Sequence, residues 1–343
     1  MATQQNEGGV PFAVAHELQT FRLLELPPEI VELIEAPNPP LLSIKSLPPA
    51  ASGTPNGKPA YAVLCTPNKS FQIRQVQTSN SVFVTQPAYD AHGNEIPIPA
   101  TCAIASCTAT LELHPADASA ATYLEDVLPV YDIINGEVDT TENGVGKTGI
   151  FAHVPLSLGQ CQRGWEDIMA FELSGSSYRP SMNTLAQVWA SINAAALAEG
   201  VKLDSQFLGT DIAKLVEEES YPAPLVLAIF RHLASIDQDT SGQWSCLDRL
   251  KTVSFVGKIF LQARRSSSEY LIVDFLDDWK DSLPEAWRGD AELKTIEGTY
   301  DLPSSTTIRA KSATTTPTAR SAAPKTATAK GKWHEKFAKT RKK

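Results

Sequence analysis

The stretch CAIASCTATLEL, residues 102–113, constrains the fold more than any other part of this chain. Ala103, Ala105, Cys107, Ala109, Leu111 and Leu113 fall on one face, and Ile104, Ser106, Thr108, Thr110 and Glu112 on the other. A period of two sustained this long marks a strand half-buried against a core. Shorter strand-like runs precede it: FRLLEL (21–26), LLSIK (41–45), YAVLCT (61–66), SFQIRQV (70–76) and SVFVT (81–85). Turn-rich segments separate them: ASGTPNGKP, TPNK and YDAHGNEIP. Pro27 and Pro28 end the first run and open a short helix with Ile30, Val31, Leu33 and Ile34 on its apolar face. Residues 1–135 therefore predict a small β-barrel-like domain. So few strands in about 100 residues leave sheet edges open, and an open edge invites pairing with another chain. A partner that completes the sheet is expected.

The period changes after a connection at 136–155. SLGQCQRGWEDIMAFEL carries Cys161, Trp165, Ile168, Met169 and Leu173 at helical spacing. SSYRPSMNTLAQVWASINAAALAEGV carries Leu185, Val188, Trp189 and Ile192, with Gly200 as a stop signal. Further helices are predicted in LGTDIAKLVEEES, PAPLVLAIFRHLAS, RLKTVSFVGKIFLQARR and EYLIVDFLDDWKDSLP. GQWSCLD (242–248) reads as a strand, and ELKTIEGTYDLP (292–303) as a strand pair around a Glu-Gly turn. Helical pairs followed by a strand or hairpin have the rhythm of winged helices. Three such units are predicted, at 156–200, 201–249 and 250–310. Residues 311–343 are rich in Thr, Ala, Pro and Lys without apolar period, the composition of a disordered basic tail. In it GKWHEKFAKTRKK places Trp333 and Phe337 four apart among basic residues, as a docking or nucleic-acid-contacting segment would. The predicted class is a multidomain α+β protein.

Charge is segregated. The net charge is −9, yet Arg309 to Lys343 holds eleven Lys/Arg against Glu335 alone, leaving −19 on the residues before it. A basic tail on an acidic body suits an acidic partner such as nucleic acid, or nuclear import. The first residues lack a basic-then-apolar leader pattern, and no apolar run approaches 18 residues, so secretion and membrane spanning are not expected. The cysteines (65, 102, 107, 161 and 246) form no CxxC pair, and the histidines form no HxH or HxxxH. Reduced thiols of a cytosolic or nuclear protein, and no metal or cofactor, are the expectation.

One stretch resembles a nucleotide site. ENGVGKTGIFAHVP contains Gly146-Lys147-Thr148, the end of a phosphate-binding loop. The glycine five places before Gly146 is replaced by Thr141, the upstream residues are acidic, and Pro155 follows closely. A connecting loop accounts for it. No GxSxG surrounds a candidate nucleophile. Asp274, Asp277, Asp278 and Glu217–Glu219 read as solvated helix faces, and Trp165, Trp189 and Trp279 as core anchors. A non-enzyme is predicted.

The runs FRLLELPPEI, YAVLCTPNKSFQIRQVQTSNSVFV, AFELSGSSYRPS, FLDDWKDSLPEAW and ELKTIEGTYDLPSSTTIR resemble, in order over about 20–309, one family. It is the fungal form of the sister-chromatid cohesion subunit of the alternative replication factor C clamp loader. The run Lys69–Val84, with Thr78-Ser79-Asn80-Ser81 after its strand, is the most specific piece. The resemblance implies a non-catalytic nuclear subunit. Its N-terminal part would join a small companion subunit and the C-terminus of the large loader subunit in a composite β-barrel. Its first winged helix would contact DNA polymerase epsilon, and later ones DNA, while the assembly loads or unloads PCNA. On that basis Phe71, Ile73, Val76, Val82 and Val84 are candidates for barrel assembly, although they equally suit the chain's own core. Arg163, Tyr178 and Arg179 are candidates for polymerase contact. Lys251, Lys258, Arg264, Arg265, Lys294, Arg309, Lys332 and Lys336 are candidates for weak, sequence-independent DNA contact. Two other readings remain open: a winged-helix transcription or chromatin factor that binds DNA directly, and an enzyme acting on phosphate through Lys147 and Thr148.

Overall fold

The structure is a computed structural model that describes residues 10–46, 61–90, 98–116, 119–134, 137–138, 144–235, 244–264 and 269–311. The predicted tail, with Lys332, Lys336, Trp333 and Phe337, lies outside the described residues, as does Arg265.

The chain begins with β1 (Phe12–Val14), β2 (Leu23–Glu25), α1 (Pro28–Glu35), β3 (Ser43–Ser46), β4 (Ala62–Cys65), β5 (Ser70–Asp90) and β6 (Ile98–Pro115). The strands form one open, curled sheet in the order β1-β6-β5-β4-β3, with β2 also paired to β6. Its spine is the antiparallel β5–β6 ribbon, paired from Phe71 opposite Pro115 to Asp90 opposite Ile98 with register shifts at Gln77/Val82 and Val84/Thr85. The runs SFQIRQV and SVFVT, read as separate strands, are one strand. Thr78-Ser79-Asn80-Ser81 does not end it; the pairing slips there between Gln77 and Val82. A bulge absorbs extra residues while the ladder continues. The alternation in β6 is realised: Ala103, Ala105, Cys107 and Leu113 are buried, while Ser106 and Thr108 are exposed. Helix α1 has Pro28 in its first turn, where no intrahelical N–H bond is lost, and it lays Ile30 on Leu64, Phe71 and Leu113.

The remainder is mixed helix and short strand: α2 (Ala120–Val127), β7 (Val130–Tyr131), β8 (Ile133–Ile134), β9 (Glu137–Val138), α3 (Lys147–His153), α4 (Leu158–Asp167), β10 (Phe171–Leu173), β11 (Ser176–Pro180) and α5 (Met182–Ala198). Of the connection expected at 136–155, residues 144–155 are structured and packed. Ile150 and Phe151 of α3 pack with Leu124, Leu128, Cys161 and Trp165 in one cluster. The helix expected to run through 156–173 stops at Asp167. Phe171–Leu173 instead pairs with Ser176–Tyr178 across Ser174 (φ 50°) and Gly175 (φ 80°). Two successive positive φ values make a tight hairpin turn matched to strand twist. β7 runs parallel to β11, with Val130 opposite Arg179. Residues 119–134, assigned from sequence to the β domain, therefore belong to the helical part.

Then follow β12 (Phe207–Leu208), α6 (Gly209–Glu218), α7 (Ala223–Leu233), β13 (Trp244–Ser245), α8 (Arg249–Ala263), β14 (Tyr270–Leu271), α9 (Ile272–Asp281), two 3-10 helices (Glu285–Asp290 and Leu293–Ile296), β15 (Tyr300–Asp301) and β16 (Thr307–Ala310). β12 pairs with β13, and the last small sheet has the order β14-β16-β15. The hairpin expected within 292–303 lies later. Leu293–Ile296 is helical, and β15 pairs with Thr307–Ala310 from the STTIRA run. One apolar core extends from Tyr131 to Ala310 through Trp189, Ile229, Val256, Phe275 and Trp279.

Candidate partner-binding surfaces

β5 is 21 residues long, but β4 covers its second edge only at Ser70, Phe71 and Gln72. From Ile73 onward that edge bears no strand among the described residues. Backbone N–H and C=O groups on such an edge are a template for another strand. Cross-strand register sorts the candidate residues. Ile73, Val82 and Val84 lie opposite Leu113, Cys107 and Ala105, on the apolar face, which Phe71 shares. Val76 lies opposite Thr110, on the other face, with Phe83. Phe71 is 1% exposed and belongs to this chain's own core, and Ile73 packs beside it. Val82 is 47% exposed although Cys107 opposite it and Ala105 on the same face are buried, so Val82 itself is left uncovered. Phe12, Val14, Phe21 and Ile44, on or beside neighbouring strands, are also exposed. Exposed apolar side chains beside a strand edge fit a surface that another chain could cover.

The sheet and the helical part meet in a polar joint. Lys45 Nζ on β3 donates to the carbonyls of Phe151 and Leu156, each at 2.7 Å. Ser70 Oγ donates to Gln160 Oε1 (2.6 Å) and accepts from the Ser157 N–H (2.7 Å). The Gly159 N–H donates to Pro67 O at 2.8 Å. Ser157 also caps α4 in a reciprocal pair with Gln160, so the helix start is built into the joint. Cys65 and Cys161 are free thiols nearby, and burial raises both pKa values, that of Cys161 to about 11.

The candidates in the first helical unit separate. Arg163 is exposed on α4. Tyr178 is 2% exposed, edge-on to Tyr131 at 5.8 Å, so the expectation of an exposed contact there is corrected: it is a core residue. Arg179 is half-buried within β11.

Gly146-Lys147-Thr148 opens a helix, as a phosphate loop would, but the helix start is occupied. The Lys147 N–H donates to Glu172 Oε1 at 2.8 Å. Its ammonium lies over the rings of Phe151 (5.4 Å) and Trp165 (5.2 Å). Burial, then the charge of Arg231, lowers its pKa. A carboxylate stands where an anion would bind, and the lysine faces aromatic rings.

The basic candidates differ in their partners. Arg264 stacks over Tyr270 at 3.5 Å and pairs with Asp278 at 3.7 Å. Lys294 pairs with Glu292, and Arg309 with Asp301 at 3.9 Å. Lys251 and Lys258, seven apart on α8, are exposed and form no ion pair among the described residues. The pKa of His232 is lowered by burial first and by the charges of these lysines after it. Sequence reasoning missed the polar joint and the self-neutralised arginines, since both depend on residues distant in sequence.

Among the described residues no group of three His, Cys, Asp or Glu could hold a metal ion, and no helix is long and apolar enough to cross a membrane. No curated protein matches the chain. A family model described as "Sister chromatid cohesion protein Dcc1" matches residues 21–322.

Proposed function

The chain belongs to the family of the sister chromatid cohesion protein Dcc1 and has a role in sister chromatid cohesion; on that premise we propose that it acts as a non-catalytic subunit of an alternative, replication factor C-like clamp loader in the nucleus. In this reading the sheet joins a small companion subunit and the C-terminus of the large loader subunit. The helical part links the loader to DNA polymerase epsilon and DNA, and the assembly acts on PCNA. The edge of β5 that bears no partner strand among the described residues, with Val82 exposed on its apolar face, carries this proposal. Strand addition supplies backbone hydrogen bonds, and the apolar face supplies burial. The order helix, strand, helix, helical turns and hairpin in α8-β14-α9-β15-β16, with β14 against β16, supports a winged helix for the last unit. The elements α2, α3 and α4 followed by the β10-β11 hairpin support another, beginning near residue 119.

The test is co-expression of the full chain with the companion subunit and the C-terminal segment of the large loader subunit, followed by sizing. A stable 1:1:1 complex is expected. Val82→Lys with Val84→Lys should weaken it at least about tenfold, because two charges would be desolvated without partners. A chain indifferent to both partners, or a double variant that assembles normally, rejects the proposal. Tight sequence-selective DNA binding by the chain alone would favour a transcription or chromatin factor.

A further inference from the structure

Between the end of α5 and the turn after α9 lies an open groove of about 640 Å3. Its floor includes Leu203 and Leu283, both buried, and Leu197 stands at its lip, 84% exposed. Trp189 Nε1 and Asn193 Nδ2 each donate to Ser282 O at 2.9 Å, which pins the turn to α5 and pre-forms the groove. Of the charged residues lining it, Arg288 pairs with Asp281 at 3.8 Å, while Asp204, Glu285 and Lys202 form no ion pair among the described residues, which leaves two free carboxylates against one lysine. An apolar floor with unpaired carboxylates on the rim fits an aromatic, basic peptide.

The chain itself contains one. Gly331–Lys343, GKWHEKFAKTRKK, has six basic residues against one acid, and Trp333 and Phe337 are the only Phe, Tyr or Trp after Tyr300. Its tether begins near the groove. β16 leads to Lys311 and pairs with β14, which runs directly into α9, and Asp281 at the end of α9 lines the groove. A ten-residue α-helix is about 15 Å long. The 22 residues from Lys311 to Trp333 reach up to about 70 Å extended. A random coil of that many residues averages about 25 Å end to end. A tether of this length holds the segment at an effective concentration on the order of 1 mM, so even a site of about 100 µM intrinsic affinity is about nine-tenths filled.

We propose that this groove docks the chain's own segment Gly331–Lys343, with Trp333 and Phe337 on the apolar floor and the flanking lysines facing Asp204 and Glu285.

The experiment uses the full chain with Trp333 replaced by photoreactive p-benzoylphenylalanine, irradiated at dilute concentration and mapped by mass spectrometry. Cross-links within one chain to 197–204 or 283–288 are expected. Leu197→Lys should reduce their yield at least about fivefold while leaving the thermal midpoint unchanged. In hydrogen exchange, Trp333→Ala with Phe337→Ala should raise the rate across 197–204 by up to about tenfold, the ratio set by nine-tenths occupancy. Cross-links elsewhere, cross-links between chains only, cross-links only to added duplex DNA, or unchanged exchange in the double variant would each overturn the proposal.

Discussion

At the scale of single residues, the clearest decision is at Gly257. Glycine inside an exposed helix costs about 1 kcal/mol relative to alanine, so its place in the middle of α8 needs a reason. A Cβ there would lie 2.5 Å from the Trp279 ring, which is fully buried and donates through Nε1 to Val253 O at 3.0 Å. Gly257→Ala should therefore destabilise the chain by about 1–3 kcal/mol despite better helix propensity. The urea midpoint measures it, and an unchanged or raised midpoint contradicts the packing argument. Tyr178 teaches the opposite lesson. Ser176, Ser177 and Tyr178 are all buried, so β11 shows no alternation from which its exposure could be read. Lys147 resembled a phosphate ligand because the sequence shows neither Trp165 beneath it nor Glu172 beside it.

At the scale of elements, the polar joint couples β3 and the start of β5 to α3 and α4. Lys45→Met would leave the Phe151 and Leu156 carbonyls without their ammonium donor. Losing a donor to part-buried acceptors costs on the order of 1–3 kcal/mol. Hydrogen exchange should then speed up together in 43–46 and 147–156 and stay unchanged in 249–263. Faster exchange confined to 43–46 would show that the joint does not couple the two parts. The same joint argues against testing partner assembly on an excised β domain. A cut at residue 135 separates Lys45 and Ser70 from their helical partners and β7 from β11.

For the whole molecule, charge decides where a polyanion can approach. The body is acidic, and Arg264, Lys294 and Arg309 are engaged by carboxylates. Lys251 and Lys258 on one face of α8 are the candidates left unpaired among the described residues. Lys251→Ala with Lys258→Ala should weaken duplex binding and reduce the slope of log affinity against log salt by up to about 2. Lys294→Ala should change the slope by less. Fluorescence anisotropy at several salt concentrations separates these outcomes, and equal slopes for both variants would remove α8 from the DNA surface.

The sequence alone determined the β6 strand, the helices α5 to α8, the burial of Trp165, Trp189 and Trp279, and the family. Each rests on contiguous residues: a period of two, a period near 3.6, or a run of matched positions. Only the tertiary structure decided that two short runs are one long strand whose edge bears no partner strand among the described residues, and that 119–134 and 144–155 belong with the helices. It also decided which cations are neutralised. Those outcomes depend on which distant residues come to lie across a ladder, a core or an ion pair, and local periodicity carries no record of that.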